Sequence, residues 1–119
     1  MALGWDTAVA IAALRGGIPL VAAVPFQGQE ARWPAAAQKR YRDILAHADR
    51  IAIISPDSYS PQAMHVRNRW MVDRCDILAT LWSGAPGGTA ACVAYADSVG
   101  RSRIDLWDEF ALDLVAPLR

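Results

Sequence analysis

Between Arg67 and Thr89 the chain reads Arg-Asn-Arg-Trp-Met-Val-Asp-Arg-Cys-Asp-Ile-Leu-Ala-Thr-Leu-Trp-Ser-Gly-Ala-Pro-Gly-Gly-Thr. Gly87, Gly88 and Thr89 stand where an apolar run gives way to a helical one. A glycine turn ahead of a helix presents backbone N–H groups and the positive end of the helix dipole, which is a seat for phosphate. The same three residues can also make a plain tight turn with an N-cap. Arg67 and Arg69, with Asn68 between them, offer guanidinium forks for a phosphate; solvated helix charges are the alternative. Glu30 is the carboxylate of the polar segment Gln27-Gly-Gln-Glu30. It suits ribose hydroxyls or general-base work, or is a surface charge. Tyr59, in a loop of Pro, Asp, Ser and Tyr, can stack or hydrogen-bond. If the chain is an enzyme, Glu30 and Arg67 are the residues to carry the reaction.

Other reactive side chains point to structure. His47 and His65 fall on predicted helix surfaces with no Ser, Cys or Asp arrangement that would make a triad. Cys75 and Cys92 sit in apolar runs and read as buried thiols, with no Cys/His spacing that suggests zinc. Neither a metal nor a cofactor is expected. Trp33, Trp70 and Trp82 read mainly as core, with one available to stack on a base. Asp73 and Asp76 bracket the start of a strand and read as structural. The net charge is zero and 54% of residues are hydrophobic. That balance fits a globular core and argues against a nucleic-acid partner. No stretch is long and apolar enough for a signal peptide or a span, so a cytoplasmic protein with no membrane partner is expected.

These residues need elements to hold them. Trp5 to Leu14 reads as a helix stopped by Gly16-Gly17, with Asp6 and Thr7 where caps belong. Ile18 to Phe26 reads as a buried strand with Pro19 and Pro25 at its margins. Pro34 opens a helix to about Ala48, with Tyr41, Ile44, Leu45 and Ala48 on one face. Arg50 to Ser55 reads as a short buried strand, and Pro61 starts a helix to about Arg74. Ile77 to Trp82, Thr89 to Val99 and Ile104 to Trp107 read as strand, helix and strand; Phe110 to Leu118 is a terminal helix or tail. Continuously apolar strands alternating with helices predict an α/β fold, with a parallel sheet covered on both faces. Loops 27–32, 55–60 and 83–89 all follow strands and are expected on one edge.

Five segments in order, Ala2-Leu-Gly-Trp-Asp6, Pro25-Phe-Gln-Gly-Gln-Glu30 with Trp33-Pro34, Tyr59-Ser-Pro61, Arg67-Asn-Arg-Trp-Met-Val-Asp73 and Gly87-Gly-Thr89, carry a resemblance. The series resembles the YpsA-like branch of the SLOG superfamily, which also holds the DNA-processing protein DprA/Smf and the Lonely Guy nucleotide hydrolases. The resemblance runs from residue 1 to about residue 107. It implies one Rossmann-like three-layer α/β/α domain over residues 1–119, with a mainly parallel sheet of about four strands and residues 108–119 as terminal helix or tail. It implies a nucleotide or an ADP-ribose-like derivative as ligand, with Gly4 and Asp6 beside it. Two departures stand out. Family members carry a strand, helix and strand before the A-x-G-x-D motif, so this chain looks truncated at its N-terminus. The sheet edge so exposed is expected to pair with another chain, giving a homo-oligomer. Lonely Guy enzymes also pair an arginine with a glutamate in G-G-x-G-T-x-x-E; Arg67 and Met71 keep the first spacing, but Cys92 stands where the glutamate is expected. A binding or sensing domain is therefore the leading expectation, with a Lonely Guy-type N-glycosidic hydrolase and a DprA-type single-stranded-DNA module as rivals.

Overall fold

The computed structural model describes residues 4–55 and 60–109. Its elements run α1 (Trp5–Arg15), β1 (Val21–Phe26), α2 (Ala35–His47), β2 (Arg50–Ser55), α3 (Pro61–Arg74), β3 (Ile77–Thr80), α4 (Gly88–Ser98) and β4 (Ser102–Asp105). This is the alternating α/β order expected from the sequence, and the described strand pairs are parallel. The chain divides into two compact units, residues 1–67 and 68–119. Each holds a two-stranded sheet, β1–β2 in the first and β3–β4 in the second.

In residues 1–67, alanine-rich α1 ends as its glycine pair requires. Gly17 takes a positive φ of 68°, Ile18 N–H donates to the Ala13 carbonyl and Gly17 N–H to that of Leu14. This satisfies the last carbonyls of the helix in a Schellman turn. At the other end the N-cap is Gly4, with no side-chain cap, and Asp6 lies inside the first turn. Asp6 and Thr7 are thus not the caps the sequence suggested: the helix begins at Trp5, as read, and both residues lie inside its first turn. Ala10, Tyr41 and Ile44 form a core, with Ile11, Leu14, Leu20, Trp33 and Leu45 packed against it. The Trp33 ring meets Tyr41 edge-on, centroids 5.2 Å apart, a favoured geometry for aromatic pairs. Asp49 clasps the start of the sheet: its carboxylate accepts from Leu20 N–H at 2.6 Å, and its own N–H donates to the Leu20 carbonyl at 2.8 Å.

β1 begins at Val21, so Pro19 lies outside it, and the register gives Pro25 no partner. That suits a residue with no N–H to donate. Side chains of partnered residues in parallel strands share a face. Ala22 and Val24, on β1, therefore share one with Ile51 and Ile53 of β2. The first two are buried, whereas Ile51 and Ile53 are 49% and 51% exposed. The expectation that β2 is a buried strand fails here, since its apolar run lacks cover within the described residues.

In residues 68–119, Val72, Leu78 and Ala96 form the core, with Cys75, Cys92 and Tyr95 against it. β3 alternates, with Leu78 and Thr80 buried and Ile77 and Ala79 exposed. β4 is exposed throughout, Ile104 included. Among the described residues, the double-sided cover expected of a buried parallel sheet is absent from this pair too. β3 and β4 both end two residues before the tryptophans that the sequence placed in them. α4 ends in a second Schellman turn: Gly100 has φ 72°, Arg101 N–H donates to the Ala96 carbonyl and Gly100 N–H to that of Asp97. The tail from Phe110 onward lies outside the described residues.

Candidate functional site

Two constellations carry the predicted site residues, one in each unit. In residues 1–67 the centre is Arg67. It is 3% exposed, and its Nη1 donates to the Ala23 carbonyl of β1 at 3.2 Å. The same nitrogen lies 3.9 Å from Oδ2 of Asp6, whose side chain is 34% exposed. Arg67 is thus neither a solvated helix charge nor an open fork. It is an interior guanidinium that ties the first turn of α1 to β1 through a charge-assisted bond and an ion pair. Asp6 keeps a third of its side-chain surface for solvent or a ligand.

Glu30 lies in the loop after β1, its side chain only 14% exposed, its Oε1 3.8 Å from Nε of Arg42. That loop is a run of tight turns: Ala31 N–H donates to the Gly28 carbonyl and Trp33 N–H to that of Glu30. Gly28 supplies a φ of 80°, open to glycine at no steric cost. The Gln38 side-chain amide then donates to the Trp33 carbonyl at 2.9 Å. Sequence reasoning missed Tyr41 as part of this electrostatic group. Burial foremost, and then the negative charge of Glu30, push its phenol up to about 12, with Arg67 pulling the other way. Gly4, exposed with φ 80°, lines a groove of about 220 Å³ between α1 and α2 with Thr7, Ala8, Ile11, Ala37 and Arg40. Asp6, Glu30 and Arg67 do not line that groove. Tyr59 lies outside the described residues.

In residues 68–119, α4 begins at Gly88 with Gly87 as N-cap, no side-chain cap bond and no acidic residue in its first turn. Gly87, Gly88 and Thr89 are all exposed. Gly87 has φ 142°, in the region that favours glycine. A Cβ on Gly88 would meet nothing within 4 Å, so the space over the helix start is open. The result is a row of amides and a positive dipole end with no counter-charge from the helix itself. The loop that leads there is strapped: Trp82 Nε1 donates to the Ala85 carbonyl at 2.8 Å, and Trp82 N–H donates to Asp105 Oδ1 at 3.3 Å. Arg69 is exposed, its guanidinium 5.0 Å from the Tyr95 ring centroid, a cation–π distance. The Tyr95 hydroxyl donates to Asp73 Oδ1 at 2.7 Å, and that bond raises its pKa. Asn68 is half-buried. Among the described residues no three His, Cys, Asp or Glu side chains gather as a metal site needs, and no helix is long and apolar enough to cross a membrane.

The YspA SLOG family model matches residues 7–97. The chain belongs to this SLOG family. It is 29% identical over 87 residues to the SPbeta prophage-derived protein YoqJ of Bacillus subtilis (strain 168), covering 64% of this chain and 51% of YoqJ. It is 38% identical over 73 residues to a UPF0398 protein of Shouchella clausii, covering 60% of this chain and 39% of the relative. A UPF0398 protein of Halalkalibacterium halodurans is 35% identical over 66 residues, covering 55% of this chain and 35% of the relative. The aligned part of this chain thus spans about half, or less, of the curated relatives it matches. The α/β order and parallel strand pairs agree with the Rossmann-like fold of a SLOG domain.

Proposed function

We propose that this SLOG chain binds a nucleotide or a nucleotide derivative of ADP-ribose type, and that it senses or holds that ligand. The observation that carries the reading is the exposed, uncapped start of α4 at Gly87, Gly88 and Thr89. An anion there meets backbone N–H groups and a positive dipole end. Arg69 and Asn68, on α3 of the same unit, are candidates for further polar contacts. In residues 1–67, Asp6 and Glu30 offer partly exposed carboxylates of the kind that accept bonds from sugar hydroxyls. Arg67 then serves by holding Asp6 in place. Gly4 and Tyr59 belong to the reading through the family motifs. Family membership supports a nucleotide-related role. The hydrolase reading has less support, since Cys92 packs against the Val72, Leu78 and Ala96 core in place of a catalytic glutamate.

The reading includes a single cytoplasmic domain that self-associates. The half-exposed Ile51 and Ile53 and the exposed Ile77 and Ile104 support the association, because bare strand edges and apolar faces invite pairing. A thermal-shift screen of AMP, ADP, ADP-ribose and NAD tests the ligand class. A true ligand at 100 times its Kd adds about 2.7 kcal/mol of stability. No shift with any of the four at millimolar concentration counts against the proposal.

A further inference from the structure

We propose that Asp105 is the positioning residue of the glycine loop, holding the segment between β3 and α4 in its anion-accepting form. This rests on the phosphate reading of Gly87–Thr89 and adds to it the residue that fixes the loop. Asp105 is the last residue of β4 and the register partner of Thr80, the last residue of β3. One of its carboxylate oxygens, Oδ1, accepts from two chain segments at once: from Trp82 N–H at 3.3 Å and from Trp107 N–H at 2.9 Å. It thereby joins the first residues beyond β3 to the first residues beyond β4, its bond to Trp82 alone spanning 23 positions of sequence.

Trp82 passes the constraint forward. Its indole N–H donates to the Ala85 carbonyl at 2.8 Å, two residues before Gly87. Among the described residues, these two bonds of Trp82 are the side-chain hydrogen bonds that reach residues 81–89. The loop is otherwise exposed from Ser83 to Thr89, and Gly84 and Gly87 leave its backbone free to take many conformations. An anion seat made of amides binds more tightly when the amides converge before the anion arrives. Asp105 and Trp82 supply that order.

Hydrogen exchange by mass spectrometry over residues 81–91, with pyrophosphate as the binding probe, tests this. Asp105→Ala should speed exchange of the 82–90 amides about tenfold, the scale for losing a charge-assisted hydrogen bond. Asp105→Asn keeps an oxygen acceptor in the same place without the charge and should exchange more slowly than the alanine variant, between it and the parent. Asp105→Glu keeps the charge but moves the acceptor by a methylene and should loosen the loop. Pyrophosphate affinity should fall in the Ala and Glu variants and be largely, not fully, restored in Asn. If Asp105→Ala does not fold, the Asn and Glu variants still decide. Parent-like exchange in the Glu variant, or Asn as loose as Glu, overturns the proposal. A parent that binds no pyrophosphate overturns the phosphate reading instead, while the exchange data still judge Asp105.

Discussion

Replacing Arg67 with alanine removes a guanidinium that is buried between α1, β1 and its own helix. Three contributions add to the cost. The bond to the Ala23 carbonyl at 3.2 Å is charge-assisted, of a kind worth about 1.5–3 kcal/mol. The Asp6 pair at 3.9 Å involves a carboxylate that is 34% exposed, so solvent screening leaves it about 0–1 kcal/mol. The arginine stem also vacates space at a position only 3% exposed, and lost packing adds to the cost. The Ala23 carbonyl loses a partner, a penalty that overlaps with the first contribution and is not counted twice. The total is about 2–4 kcal/mol. Urea unfolding followed by tryptophan fluorescence reads it directly. Arg67→Lys keeps the charge and most of the stem without the planar fork, and should recover about half. An alanine variant within about 0.5 kcal/mol of the parent, the usual scatter for surface changes, would show that Arg67 does not anchor this unit.

Two further outcomes follow from the same geometry. Tyr41, whose phenol is pushed up to about 12, holds its proton in the folded state after the unfolded chain has lost it near 10. Its contribution is complete below pH 10 and is lost as pH rises toward 12, at about 1.4 kcal/mol per pH unit; Tyr41→Phe should remove that part of the alkaline decline, and parallel alkaline unfolding curves for the two proteins would contradict it. The Thr80 hydroxyl is buried with no hydrogen-bond partner among the described residues, so Thr80→Val should leave the melting temperature unchanged or raise it; a fall of several degrees would reveal a partner for that hydroxyl.

Much of this architecture was legible because its signals are local. Pro61 at the start of α3 and the glycines after α1 and α4 are backbone instructions that act within a few residues. Tyr41 and Ile44 follow from helical spacing on α2. Burial was less legible. Arg-Ile-Ala-Ile-Ile-Ser reads as a covered strand, but cover is a property of what packs upon it, and Ile51 and Ile53 lie half open. Arg67 illustrates the same limit from the other side. Its spacing from Met71 is visible in the sequence, whereas its acceptor on Ala23 lies 44 residues away. Asp105 was missed because its role needs the β3–β4 register. Its one local signal is the short bond to Trp107 N–H two residues on, a common aspartate habit at turns. The glycine pair was found readily, since Gly87 and Gly88 interrupt an apolar run just before a helix.

Calorimetric titration of ADP-ribose and AMP into the parent and into Gly88→Val decides whether the glycine loop is the ligand site. A valine Cβ at this position meets no atom of the described residues within 4 Å, so the variant should fold like the parent while its branched side chain fills the space over the α4 amides. The account predicts saturable binding by the parent and at least a tenfold loss in the variant, about 1.4 kcal/mol. Equal affinity in the two proteins, with the fold of both confirmed by circular dichroism, would place the ligand away from Gly87–Thr89 and contradict it.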